Sequence, residues 1–394
     1  MTFNSTNTER PIDAATESAI IHFLSALVDQ NSARVIVEPK RRAEGFWFGG
    51  GNMIQSADGT LYLCGRYRNV GDSRTGLAAG ERGLELAVFR SADRGETFEQ
   101  IGCFTKKDLS RRRVTTTDSP RDTVIDEAPV LSIEGSCLVP RADGVTLYVS
   151  SEKERPYPEG VADYLKPGTG VWSIDEMRGP TVGDLSTDSL AETLRSQDPE
   201  FLHVKDPFWA TDADGRGLLL FCTHPYNWSS SNTGYLPETE DGFGPPVYRF
   251  FERGSTWDVA ISRGTGVLPL PKVGRLAEGP DLSVMFYDGG ESLRKLDEHR
   301  QANKRPRGYS CEELGGAALL LGGDPARSYR LSRLAPMFVS PWGTGSSRYV
   351  DVLVTEDGYY ATWEQSQDDG SQPLVMNYVS ASDAAALLSG TGRS

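Results

Sequence analysis

The sequence predicts an all-β fold, and within that class a five-bladed β-propeller with a short N-terminal helix. Three observations support this prediction. Asp-Gly steps recur between short apolar runs, those runs are rich in β-branched and aromatic residues, and helical periodicity is confined to the two ends of the chain. An Asp-Gly step between two such runs is a strong hairpin signal, because glycine accepts the positive φ of a tight turn. Four-stranded blades around an axis repeat such a hairpin once per blade.

The hairpins recur at an interval that fits one blade each. Their turn aspartates are separated by 85, 71, 74 and 69 residues and are Asp58, Asp143, Asp214, Asp288 and Asp357. The run before each turn is the predicted inner strand of its blade, and the run after it is the predicted second strand. In the fourth copy the predicted inner strand spans residues 280–287. Residues 255–262 are predicted to form an outer strand of the third blade.

Both ends of the chain carry helical patterns. Apolar residues at positions 20, 21, 23, 24, 27 and 28 follow the spacing of one helix face, which predicts a helix that packs against the propeller. A second short helix is predicted at residues 384–388, with Asp383 as its cap. We therefore expect an N-terminal arm and helix over residues 1–45 and a single propeller domain over residues 46–394.

Residues 91–98 match a short structural motif of propellers. They read Ser-Ala-Asp-Arg-Gly-Glu-Thr-Phe, the S-x-D-x-G-x-T-F pattern called an Asp-box, which resembles the repeats of sialidases and other propellers. In such a turn the Asp93 side chain is expected to accept hydrogen bonds from backbone amides, while Phe98 packs between blades. The motif indicates fold rather than chemistry.

Composition excludes several classes of function. The 41 basic and 55 acidic residues give a net charge of −14, which disfavours binding to nucleic acid or to an anionic membrane surface. The five cysteines are widely spaced, and no two of the four histidines stand four residues apart, so we expect no metal and no cofactor. No basic-then-apolar leader and no apolar run of about 18 residues is present, which favours a cytoplasmic protein. The sequence is compatible with an oligomer.

Carboxylates and an amide mark the predicted inner strands. Because the inner strands of a propeller face its axis, special residues on them converge although they are far apart in sequence. The first strand offers Asn52, the second Glu134 and the third Asp206, while the fourth opens with Glu278. The fifth strand offers Arg348 and Asp351.

Two tripeptides carry a resemblance to a known group of enzymes. Lys-Asp-Pro at 205–207 and Glu-Gly-Pro at 278–280 resemble the five-bladed glycoside hydrolases of families 43, 32 and 68, and the blade pattern extends over roughly residues 46–380. The resemblance implies that Asp206 orients the substrate or stabilises the transition state and that Glu278 is the proton donor. The segment Cys311-Glu312-Glu313 offers a rival donor, Glu312 or Glu313, because the invertase-like enzymes carry their acid next to a cysteine.

The first inner strand departs from that resemblance. It carries Asn52 and no acid, whereas those families place an Asp there, and glycosidic cleavage normally uses two carboxyl groups. Another carboxylate must then take the role, with four candidates: Glu134, Asp126, Glu127 and Glu312. The sequence thus predicts an exo-acting glycoside hydrolase on a small glycoside or oligosaccharide. The alternatives are a non-catalytic carbohydrate-binding propeller, a related glycosyl transferase or phosphorylase, and a sialidase-like enzyme.

Substrate contacts are predicted from arginines and aromatic residues. Four arginines are candidates for an anion-binding cluster: Arg66, Arg68, Arg307 and Arg348. Trp228 and Tyr226 follow the third hairpin and are candidates to stack on a sugar ring, as Trp47 and Trp342 are elsewhere. His224, in the same loop, and Asn52 complete the predicted binding residues.

Overall fold

Five antiparallel sheets surround a central axis in the computed structural model of the chain, which confirms the predicted all-β five-bladed propeller. The structure describes residues 11–69, 83–110, 113–115, 123–125, 128–212, 214–291, 313–322 and 324–390. Each sheet is one blade, and its strands are numbered from the axis outwards.

The strand bounds follow the chain from blade to blade. Blade 1 contains an inner strand in two pieces, then three further strands: Trp47–Gly49 with Met53–Gln55, Leu61–Arg68, Glu85–Ser91 and Glu99–Thr105. Blade 2 contains Val130–Arg141, Gly144–Lys153, Val171–Gly179 and Ala191–Leu194. Blade 3 contains His203–Thr211, Gly217–His224, Asn232–Thr239 and, at its outer edge, Gly242–Phe243 and Val247–Phe251.

The last two blades complete the circle. Blade 4 contains Ile261–Pro269, Leu282–Gly290, Leu314–Leu321 and Asp324–Arg330. Blade 5 contains Ser347–Val354, Gly358–Gln365, Leu374–Ser380 and, as its outer strand, Arg34–Val37. Arg113–Thr115 and Thr123–Ile125 form a separate two-stranded sheet, and the helices are α1 (Ala14–Leu27), α2 (Lys106–Leu109) and α3 (Ala381–Leu388).

Four of the five predicted hairpin turns are confirmed. The turns at Asp58, Asp143, Asp214 and Asp357 each join the inner and second strands of a blade. At the first of them Asp58 Oδ1 accepts hydrogen bonds from the Ser56 hydroxyl and the Thr60 amide, and Gly59 has φ 85°. The glycine thus has the positive φ that the sequence predicts, and the Asp58 side chain stabilises the turn by accepting these two hydrogen bonds.

The predicted fourth turn is wrong. Asp288 and Gly289 lie inside the second strand of blade 4, where Asp288 pairs with Arg263 of the inner strand. The actual turn spans residues 270–281, so the run predicted as the inner strand is the second one. Asp288 is tolerated in the sheet because the Arg263 guanidinium neutralises it, and Gly289 is required there because a Cβ would lie 2.4 Å from the Trp257 ring.

Two smaller predictions also need correction. Residues 255–262 do not form an outer strand of blade 3: residues 255–260 are a loop, and 261–262 begin the inner strand of blade 4. Trp257 in this loop is buried, and its Nε1 donates to the Ser332 carbonyl. Helix α3 begins a turn earlier than predicted. Its cap is Ser380, whose hydroxyl accepts from the Asp383 amide, because the helix continues without a break from the last strand of blade 5.

The Asp-box forms the turn between the third and fourth strands of blade 1. Asp93 accepts hydrogen bonds from the Thr97 side chain and amide and from the Ser91 hydroxyl, which lower the pKa of Asp93 to about 2. Phe98 packs, partly buried, against a core cluster that blade 1 shares with blade 5. This is the arrangement that the motif predicts.

The N-terminal segment closes the circle of blades. The strand Arg34–Val37 pairs antiparallel with Leu374–Ser380, so the two ends of the chain build one blade together. Helix α1 begins at the Asp13 cap and buries Ile20, Phe23 and Leu24 in the core between blades 4 and 5. This core is the largest of the described clusters and contains residues of α1, α3 and both blades.

The antiparallel order gives the propeller two distinct faces. We call the face where the inner strands begin and the second strands end the axial face, and the face that carries the Asp-Gly turns the turn face. Long connections join the second and third strands on the axial face, including residues 154–170 and 225–231. Within the described part of the chain, no helix is long and apolar enough to cross a membrane.

Replacing Leu24 by Ala tests the contribution of α1 to closure. The Leu24 side chain is fully buried in the shared core, so the cavity and the lost transfer energy should lower the free energy of unfolding by about 2–5 kcal/mol. Chemical denaturation measures this difference. The exposed His22 on the same helix is the matched control, and His22→Ala should change stability by no more than about 0.5 kcal/mol. Equal effects of the two variants would contradict the packing role of α1.

Candidate functional site

The inner strand of every blade is interrupted at the same level near the axial face. In blade 1 it is broken between Gly49 and Met53, and in blades 2 to 5 its pairing register with the second strand shifts. The shift in blade 3 falls at Asp206 and Pro207, where a proline cannot donate to the ladder. β-Bulges of this kind re-aim side chains and are frequent beside active sites. Here five interruptions converge on one axis.

Charged side chains from all five blades meet at this level. They come from the starts of the inner strands and the ends of the second strands, with one from the start of a third strand. We call this set the axial charged cluster: Arg66, Arg68, Glu134, Lys205, Asp206, Arg263, Asp288, Glu313, Arg348 and Glu364. It contains five cationic and five carboxylate side chains.

The first half of the cluster links blades 2, 1 and 5. Glu134 accepts from Arg66 Nε at 3.2 Å and from Arg68 Nη1 at 3.1 Å. Arg66 Nη1 donates to Glu364 Oε1 at 2.6 Å, and Glu364 Oε2 accepts from Arg348 Nε at 2.7 Å. Arg66 and Glu364 are fully buried, so these ion pairs lie where water does not screen them.

The second half links blades 5, 4 and 3. Arg348 Nη1 and Arg263 Nη2 both donate to Glu313 Oε2, at 3.0 and 2.5 Å. Arg263 also donates to Asp288 at 2.7 Å and to Asp206 Oδ2 at 3.4 Å. Arg263 therefore holds three carboxylates from two blades at once.

A backbone hydrogen bond completes the ring between blades 2 and 3. The Gly135 amide donates to Asp206 Oδ1 at 3.0 Å, and Lys205 Nζ lies 3.4 Å from Asp206 Oδ2. The two strands approach so closely that a Cβ at Gly135 would lie 2.6 Å from the Asp206 Cα. Glycine is required at this point by space alone.

Three residues at the site have a left-handed backbone, which costs free energy for residues other than glycine. Asp206 has φ 53°, Trp228 has φ 57° and Tyr349 has φ 54°. Among the described non-glycine residues only Arg94, in the Asp-box, shares this conformation. Strain outside that turn is thus concentrated at the axial face.

Tyr349 lies among three arginines. Its ring centroid is 4.3 Å from the Arg263 guanidinium carbon, 5.4 Å from that of Arg66 and 5.7 Å from that of Arg348. The ring also lines a small axial cavity beneath the cluster, together with Asn52 and the interrupted parts of the other blades. The aromatic face offsets part of the cost of placing these cations together.

The protonation of the carboxylates differs around Arg263. Burial acts to raise the pKa of Glu313, but Arg263 and Arg348 together hold it below the usual range, so Glu313 is ionised. For Asp288, burial dominates over the attraction of Arg263 and raises the pKa to about 7. Glu313 is also the most exposed carboxylate of the cluster, with 22% of its side-chain surface accessible against 6% or less for the other four.

An aromatic wall stands beside the cluster on blade 3. Trp228 stacks on His203 at 4.3 Å and lies 4.6 Å from the His224 ring. His224 Nδ1 pairs with the Ser230 carbonyl, and burial lowers the pKa of both histidines well below the usual range, so both are neutral. The buried histidines therefore support Trp228, which is half-buried and faces the axial side.

The structure brings most of the sequence-predicted site residues together. Arg66, Glu134, Asp206 and Arg348 belong to the axial charged cluster, and His224 and Trp228 form the adjoining wall. Asn52 lines the axial cavity, but its amide is already bonded to the backbone of Leu138, which ties blade 1 to blade 2.

Glu278 does not join these residues. It is exposed in the connection between the inner and second strands of blade 4, on the turn face. The strand from Arg263 to Pro269 separates it from the cluster by on the order of 20 Å. The physical reason is the misassigned fourth turn, which makes the predicted start of an inner strand the end of a loop. Four further candidates lie outside the described residues: Asp126, Glu127, Arg307 and Glu312.

Besides Lys205, three cluster residues were missed by the sequence-based search: Arg263, Asp288 and Glu364. Each stands within an otherwise apolar strand, as in Tyr-Tyr-Ala-Thr-Trp-Glu364, where a charge must be paired to be buried. That contradiction between charge and strand pattern was the available signal. Within the described ranges no group of three or more His, Cys, Asp or Glu side chains forms a metal site.

Comparison with known proteins identifies the fold. No family model matches the chain, and no curated protein matches it. The chain is similar to the solved structure of an α-L-arabinofuranosidase from Lactobacillus brevis, with 9% identity and a TM-score of 0.51 over 87% of this chain and 91% of that one. It is also similar to the β-xylosidase RS223, with 10% identity and a TM-score of 0.50 over 88% of this chain and 95% of that one.

A third similar structure is larger than this chain. The xylan β-1,4-xylosidase from Bacillus halodurans C-125 has 11% identity and a TM-score of 0.51 over 87% of this chain, which spans only 54% of the xylosidase. At such low identities the comparisons show a shared fold and no more. They confirm the five-bladed fold that the resemblance to glycoside hydrolases implied.

The pH dependence of stability tests whether the carboxyl group of Asp351 is buried near the axis. It lies on the inner strand of blade 5, where its Oδ2 accepts from the Met53 amide and burial raises its pKa to about 7. Between about pH 4 and 7 the folded state then holds a proton that the unfolded state has lost, so the free energy of unfolding should fall as the pH rises. In Asp351→Asn this part of the slope should disappear. Urea denaturation at about pH 5 and pH 7.5 measures it, and parallel pH profiles would contradict the burial of this carboxyl.

Proposed function

We propose that this chain is a glycoside hydrolase that releases a sugar from the end of a small glycoside or oligosaccharide. The proposal rests on the axial charged cluster, which lies at the level where all five inner strands are interrupted. Bulges and left-handed residues cost free energy and are retained where they aim side chains for function. The fold is one that arabinofuranosidases and xylosidases also have, and the activity is argued from the site.

Glu313 is the proposed base or nucleophile. Hydrolysis adds water across the glycosidic bond: its oxygen goes to the anomeric carbon and a proton goes to the leaving oxygen. One of the two carboxyl groups must be ionised to activate that water or to attack the anomeric carbon directly. Glu313 is ionised and partly exposed, and Arg263 and Arg348 fix its position.

Asp206 is the second carboxylate of the proposed site. A single guanidinium, that of Arg263, donates to both Asp206 and Glu313 and so holds the two carboxylates beside each other. Asp206 holds Arg263 and the Gly135 amide, so we assign it a positioning role for Glu313. Glu134 positions Arg66 and Arg68 in the same way. The proton donor is proposed to be Glu312, the neighbour of Glu313 in sequence.

The aromatic wall favours a sugar as the substrate and cleavage at the end of the sugar chain. Trp228 offers a half-buried ring beside the cluster, and Tyr226 contacts the exposed Tyr164 at 4.6 Å. The apolar face of a sugar ring packs well on such aromatics. Tyr157 and Tyr164 belong to a connection that packs against blade 3, so the site is walled on one side and suits a chain end.

A non-catalytic carbohydrate-binding propeller is the second candidate. Two observations favour it: Asn52 stands where the resembling families place an aspartate, and Glu134, Asp206, Asp288, Glu313 and Glu364 are all ion-paired. Under this candidate the cluster would hold the inner strands and present a binding surface. A transferase or phosphorylase and a sialidase-like enzyme are further alternatives, in which the same arginines would bind an anionic group of the substrate.

Glu313→Gln separates catalysis from binding. The amide keeps the shape of the side chain but removes the charge that a base or nucleophile needs, so kcat should fall by about 10²–10⁴-fold. Release of 4-nitrophenol from a panel of 4-nitrophenyl glycosides measures kcat and KM, with and without inorganic phosphate. A requirement for phosphate would identify a phosphorylase instead.

The exposed Glu356 on the turn face is the matched control, and Glu356→Gln should keep the wild-type rate. The Glu278→Gln variant tests the sequence-based expectation at the same time. Loss of activity in Glu278→Gln with full activity in Glu313→Gln would contradict the proposal that catalysis takes place on the axial face. Sugar binding by calorimetry without turnover on any substrate would establish the binding module.

A further inference from the structure

Two hydrogen-bond donors at the edge of the axial charged cluster have no partner among the residues that the structure describes. They are Nη2 of Arg348 and Nε1 of Trp47, and both atoms are shielded from solvent. The other nitrogens of Arg348 are occupied, Nε by Glu364 and Nη1 by Glu313. An unpaired buried donor is unfavourable, and this is more so for a charged group.

The two donors lie at one place. The guanidinium carbon of Arg348 is 4.2 Å from the Trp47 ring centroid, and that of Arg68 is 4.5 Å from the same ring. Only 8% of the surface of Arg348 is accessible to solvent, whereas Trp47 is half-buried at the start of the inner strand of blade 1. A ligand that binds here therefore meets two N–H groups beside two guanidinium charges.

The chemistry of this spot selects an anion with two acceptor oxygens. All five cluster carboxylates pair with other nitrogens of the cluster, and none of them accepts a hydrogen bond from Arg348 Nη2. An anion from outside the cluster can therefore bind this nitrogen without displacing a carboxylate of the protein. A sugar hydroxyl presents a single oxygen and carries no charge, whereas a carboxylate presents two acceptor oxygens and its negative charge is attracted by both guanidinium groups. The planar fork of arginine suits a carboxylate.

We infer that the site takes a uronic acid, whose carboxylate accepts hydrogen bonds from Arg348 Nη2 and Trp47 Nε1 within the field of Arg68. This inference rests on the proposed function, because it names the substrate class of the same site. It makes the substrate an acidic glycoside and gives the arginines a role in specificity. Trp47 is then a binding residue of blade 1, opposite the aromatic wall of blade 3.

Binding of free sugar acids tests the inference without requiring turnover. Isothermal titration calorimetry of the wild-type chain with D-glucuronate, D-galacturonate, D-glucose, D-galactose and acetate gives the affinity of each probe. We expect at least one uronate to bind about tenfold or more tightly than its neutral sugar and than acetate, the gain of one charge-assisted hydrogen bond. Equal binding of uronates and neutral sugars, no binding of either uronate, or equal binding of acetate would overturn the inference.

Trp47→Phe tests the assigned donor. It keeps an aromatic ring between the arginines but removes Nε1–H, so the ratio of uronate to neutral-sugar affinity should fall about tenfold. Trp209→Phe is the matched control, since Trp209 also has an arginine on its ring, Arg141 at 4.3 Å, but lies near the turn face. It should keep the wild-type ratio. An unchanged ratio in Trp47→Phe, or an equal fall in both variants, would contradict the assignment.

The outcomes separate this inference from the proposed function. Selective uronate binding without hydrolysis of any 4-nitrophenyl glycoside or uronide would support the acidic subsite and overturn the hydrolase. Hydrolysis of neutral glycosides with no gain for the matching uronides would support the hydrolase and overturn the subsite.

Discussion

The ring of ion pairs around the axis is the constraint on which the rest of the structure depends. Five inner strands meet there, and ion pairs between blades link their charged groups, as Arg66 of blade 1 does with Glu134 of blade 2 and Glu364 of blade 5. A buried ion pair adds little net stability compared with apolar packing, but loss of one partner leaves a charge whose burial costs roughly 3–5 kcal/mol. The blades are thereby held in one relative position, and any change at the axis is transmitted to its neighbours.

Close approach of the strands is the geometric condition for this ring. The inner strands can converge because glycines face them where they come closest: a Cβ at Gly264 of blade 4 would lie 2.5 Å from the Phe208 ring of blade 3, and one at Gly135 of blade 2 would meet Asp206. The left-handed conformations of Asp206 and Tyr349 turn their side chains towards the axis at the same level. Apolar packing between blades supplies the stability that tolerates this strain, as in the core that α1 shares with blades 4 and 5.

The arrangement of charges divides the site into parts with different chemistry. Glu313 is ionised and reaches the surface between two arginines, whereas Asp288 and Glu364 are enclosed and hold those arginines from behind. Trp228 and Trp47 stand on opposite sides, the first on a support of neutral histidines and the second against two guanidinium groups. The site therefore has an apolar wall on one side and a cationic wall on the other.

Local patterns are sufficient to predict the fold class, four of the five hairpins, the Asp-box and helix α1, because each depends on an Asp-Gly turn, alternating apolar residues or one apolar helix face. The sequence also pointed to Asp206, Glu134, Arg66 and Arg348, which the structure brings together at the axis. The position of Glu278 on the turn face and the presence of Arg263, Asp288 and Glu364 in the cluster are visible only in the folded structure. Asp288-Gly289 has the local signal of a turn, and the interaction that overrides it, an ion pair with Arg263, joins residues 25 positions apart in the chain. A charge within an apolar strand indicates that a partner exists, but no local pattern says which distant residue that partner is.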